Sequence, residues 1–258
     1  MDSPSPARMY DYFLGGSFNF LVDRQAAERV QELYPDTPYI VRANRAFLRR
    51  AVRFLVGQGI DQFLDIGSGL PTVGNVHDVA RRDNPAVRIV YVDRDPVAVH
   101  HSLDVLKEMP SAGAIRADAR EPAYILQHPE VRRLLDFSRP VAVLLVAVLH
   151  FIESDAQIYN LLRTLRASMA SGSYLVISHS TLDGVSQESA AQTERLYADT
   201  VHPFKTRTRA QVAPFFAGLN LEEPGLVYAP LWQPEGPEDL FVDEPGRSTL
   251  LVGVGQQP

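Results

Sequence analysis

The sequence contains no cysteine. That absence removes disulfides, thiolate zinc sites, iron–sulfur clusters and every mechanism with a cysteine nucleophile. Long apolar runs are missing too, since the longest, Val141 to Leu149, falls far short of the ~20 residues a membrane helix needs. Positive charge is in deficit, with Lys+Arg 25 against Asp+Glu 31 and a formal net charge of −6. This argues against a partner held by phosphate neutralisation, such as bulk nucleic acid. The start, Met1-Asp2-Ser3-Pro4, has neither a basic nor an apolar stretch and does not read as a signal peptide. A cytoplasmic protein that neither enters a membrane nor binds nucleic acid is the expectation.

What is present is a composition that can bury a full core, 45% hydrophobic and 22% charged. At about 150 residues per domain the length corresponds to roughly 1.7 domains. The simplest division is one domain, with residues 1–60 a helical extension and 61–258 the core. In the extension, Thr37 and Pro38 predict the start of a helix that runs to about Val56 and is stopped by Gly57 and Gly59. From Gln62 onward short β-branched runs alternate with amphipathic stretches, the signature of βα units around a parallel sheet. The runs are Phe63–Ile66, Arg88–Asp93, a weak one at Ala114–Arg116, Val141–Val148 and Tyr174–Ser178. Val141–Val148 lacks alternation, as a strand covered on both faces would. Ser154 with Gln157, and Thr208 with Gln211, are spaced as capping boxes opening two further helices. Leu226–Tyr228 and Thr249–Val254 arrive without an intervening helix and are expected to pair antiparallel.

The most informative segment is Phe63-Leu64-Asp65-Ile66-Gly67-Ser68-Gly69-Leu70-Pro71-Thr72. A strand runs into two glycines and then into a helix expected near Val73, placing a sharp backbone turn beside amides that favour anions. Asp93 ends the next strand, where a carboxylate accepts from both hydroxyls of a ribose, and Asp118 follows the third. A dinucleotide loop would carry glycine at Thr72, and no second mononucleotide half follows, so a nicotinamide reading is disfavoured. The series Asp65-x-Gly67-x-Gly69, Asp93, Asp118 resembles class I S-adenosylmethionine-dependent methyltransferases, with Pro71 where a third glycine often stands. Arg8 to Gly16, Asn19-Phe20, Asp23, Arg42 to Leu48 and Val90 to Pro96 narrow the likeness. With them, the chain is similar to an actinobacterial family of such methyltransferases, long described as a domain of unknown function.

The resemblance implies a Rossmann-like sandwich with a mostly parallel seven-stranded sheet, an antiparallel C-terminal hairpin and a helical N-terminal extension. It also implies S-adenosylmethionine as cofactor, with S-adenosylhomocysteine as product. Gly67, Ser68 and Gly69 would pass the ligand with their backbone. Asp65 would orient the methionine ammonium, or else cap its own loop. Asp93 would hold the ribose, Arg94 would lie along the adenine or in solvent, and Asp118 with Ala119 would meet the adenine ring. Arg45 with Asn44 would reach the methionine carboxylate; the alternative is that Arg42, Arg45, Arg49 and Arg53 form a solvated face. Tyr10, Tyr12, Gly15 and Gly16 would form a flexible lid, with Tyr12 in the cofactor site. His150, after the fourth strand, stands where a general base would, or closes the pocket structurally; His179 and His202 are weaker versions of the same idea. No histidine pair has metal-site spacing on a helix, so no metal is expected.

The absent cysteine excludes covalent cytosine chemistry. No Asp/Asn-Pro-Pro-aromatic pattern follows the fourth strand. With the negative charge, these features point to methyl transfer onto an oxygen or nitrogen of a small molecule. The alternative is a protein that binds S-adenosylmethionine or S-adenosylhomocysteine as a sensor or accessory, with little catalysis.

Overall fold

The computed structural model of the chain describes residues 3–71, 74–183, 204–236 and 239–258. Thr72, Val73 and His202 therefore lie outside the described residues. Three helices come first: α1 (Pro6–Phe13), α2 (Leu21–Leu33) and α3 (Thr37–Gly57). Then follow β1 (Gln62–Ile66), α4 (Val76–Asp83), β2 (Arg88–Asp93), α5 (Pro96–Leu106) and β3 (Ala112–Arg116). Two short helices, α6 (Pro122–Gln127) and α7 (Pro129–Leu134), lead to β4 (Ala142–Val146), α8 (Asp155–Ser168) and β5 (Tyr174–Ser180). The tail holds α9 (Arg209–Val212), β6 (Asn220–Leu221), β7 (Val227–Tyr228) and β8 (Leu250–Gln256).

Successive strand residues point to opposite faces, and here both faces are covered. Phe63, Ile89, Leu144 and Val176 pack against α3 and α4 on one side. Leu64, Val90, Val143 and Leu175 pack with Val131, Ile158 and Leu161 on the other. This is why β1 and β5 are buried along their whole length. Ser154 Oγ accepts from the Gln157 amide at 3.3 Å and starts α8, whose Ile158, Leu161, Leu162 and Leu165 are buried.

The strand order is β3-β2-β1-β4-β5-β8-β6, with β7 also paired to β8. The five strands from β3 to β5 are parallel, and β8 runs antiparallel to β5. The expected hairpin forms, with Val227 opposite Val252. The sheet has eight strands among the described residues, not seven. The extra one is the two-residue β6, too short to show any alternation in sequence. The helix after the glycines begins at Val76, three residues later than expected. The helix opened by Thr208 lasts one turn before tightening into 3₁₀ geometry over Ala213–Phe216.

The N-terminal helices are fastened to the sheet through one buried arginine. Arg8 donates from Nε to Asp23 at 2.7 Å and from Nη1 to Asp95 at 2.8 Å. Asp95 also caps α5, accepting from the Val97 amide at 2.9 Å, and Ser5 Oγ donates to its other oxygen. Asp23 accepts in addition from the amides of Ser5 and Phe20. All three charged side chains are buried. Removing one member of such a set leaves the others charged and unpaired in a low-dielectric interior. Arg8→Met is therefore expected to lower unfolding free energy by about 3–5 kcal/mol, read from the urea midpoint. An unchanged midpoint would mean that apolar packing alone holds these helices.

Candidate functional site

The sheet changes direction of winding between β1 and β4, and the crevice at the carboxyl ends of those two strands is where open α/β sheets take ligands. β1 delivers Gly67 there with φ +74°, a conformation that L side chains rarely adopt. A Cβ on Gly67 would stand 2.2 Å from Val148 Cγ2, so the loop must be bare to lie against the end of β4. Gly69, at φ +66°, would by contrast place a Cβ in open space. The amides of Gly67 and Ser68 both donate to Val92 O, at 2.7 and 3.1 Å. The Gly69 amide donates to Asp93 Oδ2 at 2.8 Å.

Above this loop lies a cavity of about 830 Å³. Asp65, Gly67, Ser68, Gly69, Asp93, Arg94, Asp118 and Ala119 all line it, as do Arg45, Asn44 and His150. The fold thus brings together residues that are far apart in sequence. Tyr12 is the exception. It points away, and its hydroxyl donates to Glu28 at 3.2 Å on the surface. Tyr10, two residues earlier and so on another helix face, lines the cavity instead.

The carboxylates differ in state because their surroundings differ. Asp65 is buried, and burial pushes its carboxyl up to about 7, with Arg45 opposing and Asp93 adding to the shift. Burial also raises Asp93, while the amides of Asp95 and Gly69 pull it back. Asp118 is lowered because Arg120 bonds it through the side chain, with Nε at 2.9 Å from Oδ1.

Several sequence expectations change here. Asn44 lines the wall and also ties neighbours together: Nδ2 donates to Tyr10 Oη at 3.0 Å and Oδ1 accepts from Ser178 Oγ at 2.7 Å, which leaves a second donor on the amide. The arginine stripe divides. Arg45 faces the cavity, its Nη2 3.5 Å from Asn75 Oδ1, whereas Arg53 pairs with Glu235. At the glycines expected to form a lid, the Gly16 amide donates to Asp11 O, and a Cβ there would meet the Asp11 carboxyl. Asp11 in turn accepts from Phe18 N and Asn19 Nδ2, so the signature residues build a hydrogen-bonded turn.

His150 sits on one turn of 3₁₀ helix after β4, 4% exposed. Burial holds its pKa well below the usual histidine range, with His179 and Arg207 lowering it further. The ring thus favours its neutral form and lines the cavity wall. His179 is held to about 4, mainly by burial, and Arg207 Nη1 lies 3.1 Å from its Nε2. Ala147, with φ 58° at the end of β4, also lines the cavity. The apolar run around it gave no sign that the strand stops at Val146.

These features define a Rossmann-like fold of the class I methyltransferase type. A family model described as S-adenosyl methyltransferase matches residues 1–258, and the chain belongs to that family. A Thermobifida fusca protein provisionally designated a methyltransferase is 38% identical, with a TM-score of 0.91 over 99% of this chain and 95% of that one. A DUF574 family protein from Streptomyces avermitilis is 36% identical, with a TM-score of 0.93 over 100% of this chain and 98% of that one. Human N-acetylserotonin methyltransferase, solved with S-adenosylmethionine, shares the fold at 14% identity, with a TM-score of 0.52 over 99% of this chain and 63% of that one. No curated protein matches the chain. No helix among the described residues is long and apolar enough to cross a membrane.

The family's cofactor is S-adenosylmethionine, and the residues present suit it. Asp93 keeps acceptor capacity beyond its two amide bonds, Gly69 leaves room for a close approach, and Asp65 offers a carboxyl to a positively charged group.

The raised pKa of Asp65 has a stability consequence. Between the unfolded value near 3.9 and about 7, the folded protein holds a proton that the unfolded chain has lost. Stability contributed by the protonated group is thus complete below the lower value and lost as pH rises through the upper one. Asp65→Asn, which cannot ionise, should gain stability relative to wild type from pH 4 to 7 and level off above. A difference independent of pH in urea titrations at pH 4, 6 and 8 would contradict this.

Proposed function

We propose that this protein transfers a methyl group from S-adenosylmethionine to an oxygen or nitrogen of a small-molecule acceptor. The observation that carries the reading is Asp93, a buried carboxylate at the end of β2 that holds the Gly69 amide and faces the cavity. When bound, the cofactor supplies an electrophilic methyl carbon on a sulfonium, so the protein's task is mainly alignment. In this reading Asp93 accepts from the ribose hydroxyls, and the backbone of Gly67, Ser68 and Gly69 forms the floor. Asp65 meets the ammonium and Arg45 the carboxylate of the methionine part, while Ala119 and Asp118 flank the adenine with Arg94 at its edge. The N-terminal helices line the same cavity, which supports counting residues 1–258 as one domain. The net charge of −6 and the largely apolar wall favour a small acceptor over nucleic acid.

Calorimetry with S-adenosylhomocysteine tests the binding half. Asp93→Asn loses charge-assisted hydrogen bonds of about 1.5–3 kcal/mol, so affinity should fall by roughly 10–100-fold. Arg45→Ala should weaken binding by a smaller factor. Affinity equal to wild type in Asp93→Asn would sink the assignment. Transfer of label from methyl-labelled cofactor to a metabolite extract tests the chemical half, and binding without any transfer would favour a sensor.

A further inference from the structure

The cavity extends beyond the glycine loop, between the N-terminal helices and the carboxyl ends of β4 and β5. Met9, Phe13, Val30, Leu33 and Val41 form one wall of this outer part. On the facing wall His150, Phe151 and Phe204 form a ring cluster, with centroids 4.5 Å apart for His150–Phe151 and 4.8 Å for His150–Phe204. The polar side chains nearby are engaged with one another: Tyr10 Oη donates to Val41 O at 3.0 Å and accepts from Asn44.

His150 differs from them. Its Nδ1 accepts the Ser180 amide at 3.3 Å, and Lys205 N donates to its backbone oxygen at 2.8 Å. An accepting Nδ1 assigns the proton of the neutral ring to Nε2. No bond from that second nitrogen to another described residue accompanies the Nδ1 contact. His150 lines the cavity, where an Nε2–H can serve as a donor. Burial, together with His179 on β5 and Arg207, opposes a positive charge on the ring.

We propose that the outer cavity takes an uncharged aromatic acceptor, stacked against Phe151 and Phe204, with an uncharged oxygen or ring nitrogen accepting from His150 Nε2. This rests on the methyltransferase reading above and specifies the acceptor class for that site. Aromatic faces match the ring cluster, at about 0.5–1.5 kcal/mol per favourable pair beyond area burial. At His150 a carboxylate would meet one neutral donor and an ammonium would meet a donor where it needs an acceptor; Arg29, which also lines the cavity, is exposed to solvent, where water screens its charge. Either ion would give up its hydration without full replacement. His150 is thus a recognition group that touches the acceptor, not a base.

The test uses the full chain saturated with S-adenosylhomocysteine and three probes of one shape: 4-hydroxybenzamide, 4-hydroxybenzoate and tyramine. The neutral amide should bind at least about tenfold tighter than the anion or the cation. His150→Phe keeps a ring and removes the donor, and should weaken amide binding about fivefold, the worth of one neutral hydrogen bond near 1 kcal/mol. His150→Gln, which places a donor at a similar reach, should restore much of it. Tighter binding of either charged probe, or amide binding unchanged in His150→Phe, overturns the proposal. S-adenosylhomocysteine binding is measured first. If it fails, the methyltransferase reading fails; if it holds while the amide does not bind, only this inference does.

Discussion

Asp93 holds two backbone amides, one from Gly69 on the glycine loop and one from Asp95 at the head of α5. Each bond does a separate job. The first curls the loop over the end of β2, and the second sets the turn that presents Asp95. Asp95 then takes the guanidinium of Arg8, so the N-terminal helices are tied to the same corner that shapes the loop. Two acids two residues apart thereby join the floor of the cavity to its roof. The arrangement requires glycine at position 67, where Val148 leaves no room for a side chain, and a buried partner for every charge gathered there.

Burial sets the chemistry on the two sides of the cavity differently. Toward the glycine loop it raises acids that suit a ligand rich in donors and carrying positive charge. Around the ends of β4 and β5 it disfavours the charged form of His150 and His179. Both effects have one origin, the cost of charge in a low-dielectric interior. The first leaves carboxyls ready for a cation to favour their charged form. The second leaves a wall that resists positive charge.

The parts legible in sequence were those written in local pattern. The parallel βα body, the loop of Gly67 and Gly69, and the acids Asp65, Asp93 and Asp118 came from strand runs followed by turn residues. The hairpin of β7 and β8 came from strands without a crossover helix. What was not legible depended on contacts between distant segments. Tyr12 and Tyr10 are equivalent in sequence, and only the packing of α1 decides which one faces the cavity. Asn44 reads in sequence as a ligand-binding amide, and only the fold shows that Ser178, 134 residues away, also bonds it. In the N-terminal signature, Gly16 is bare so that Asp11 can fit, and Arg8 is buried between two acids no local rule could pair with it. The state of His150 follows from burial and from Arg207 and His179, which reach it from outside its own segment.

The most direct test of the account is a crystal structure of the protein with S-adenosylhomocysteine bound. The account predicts both ribose hydroxyls within hydrogen-bond distance of the Asp93 carboxylate, with the Gly69 amide still on its other lone pairs. The sulfur would face the outer cavity toward His150. A ligand whose ribose lies elsewhere, or an Asp93 turned away from it, would contradict the account at its centre.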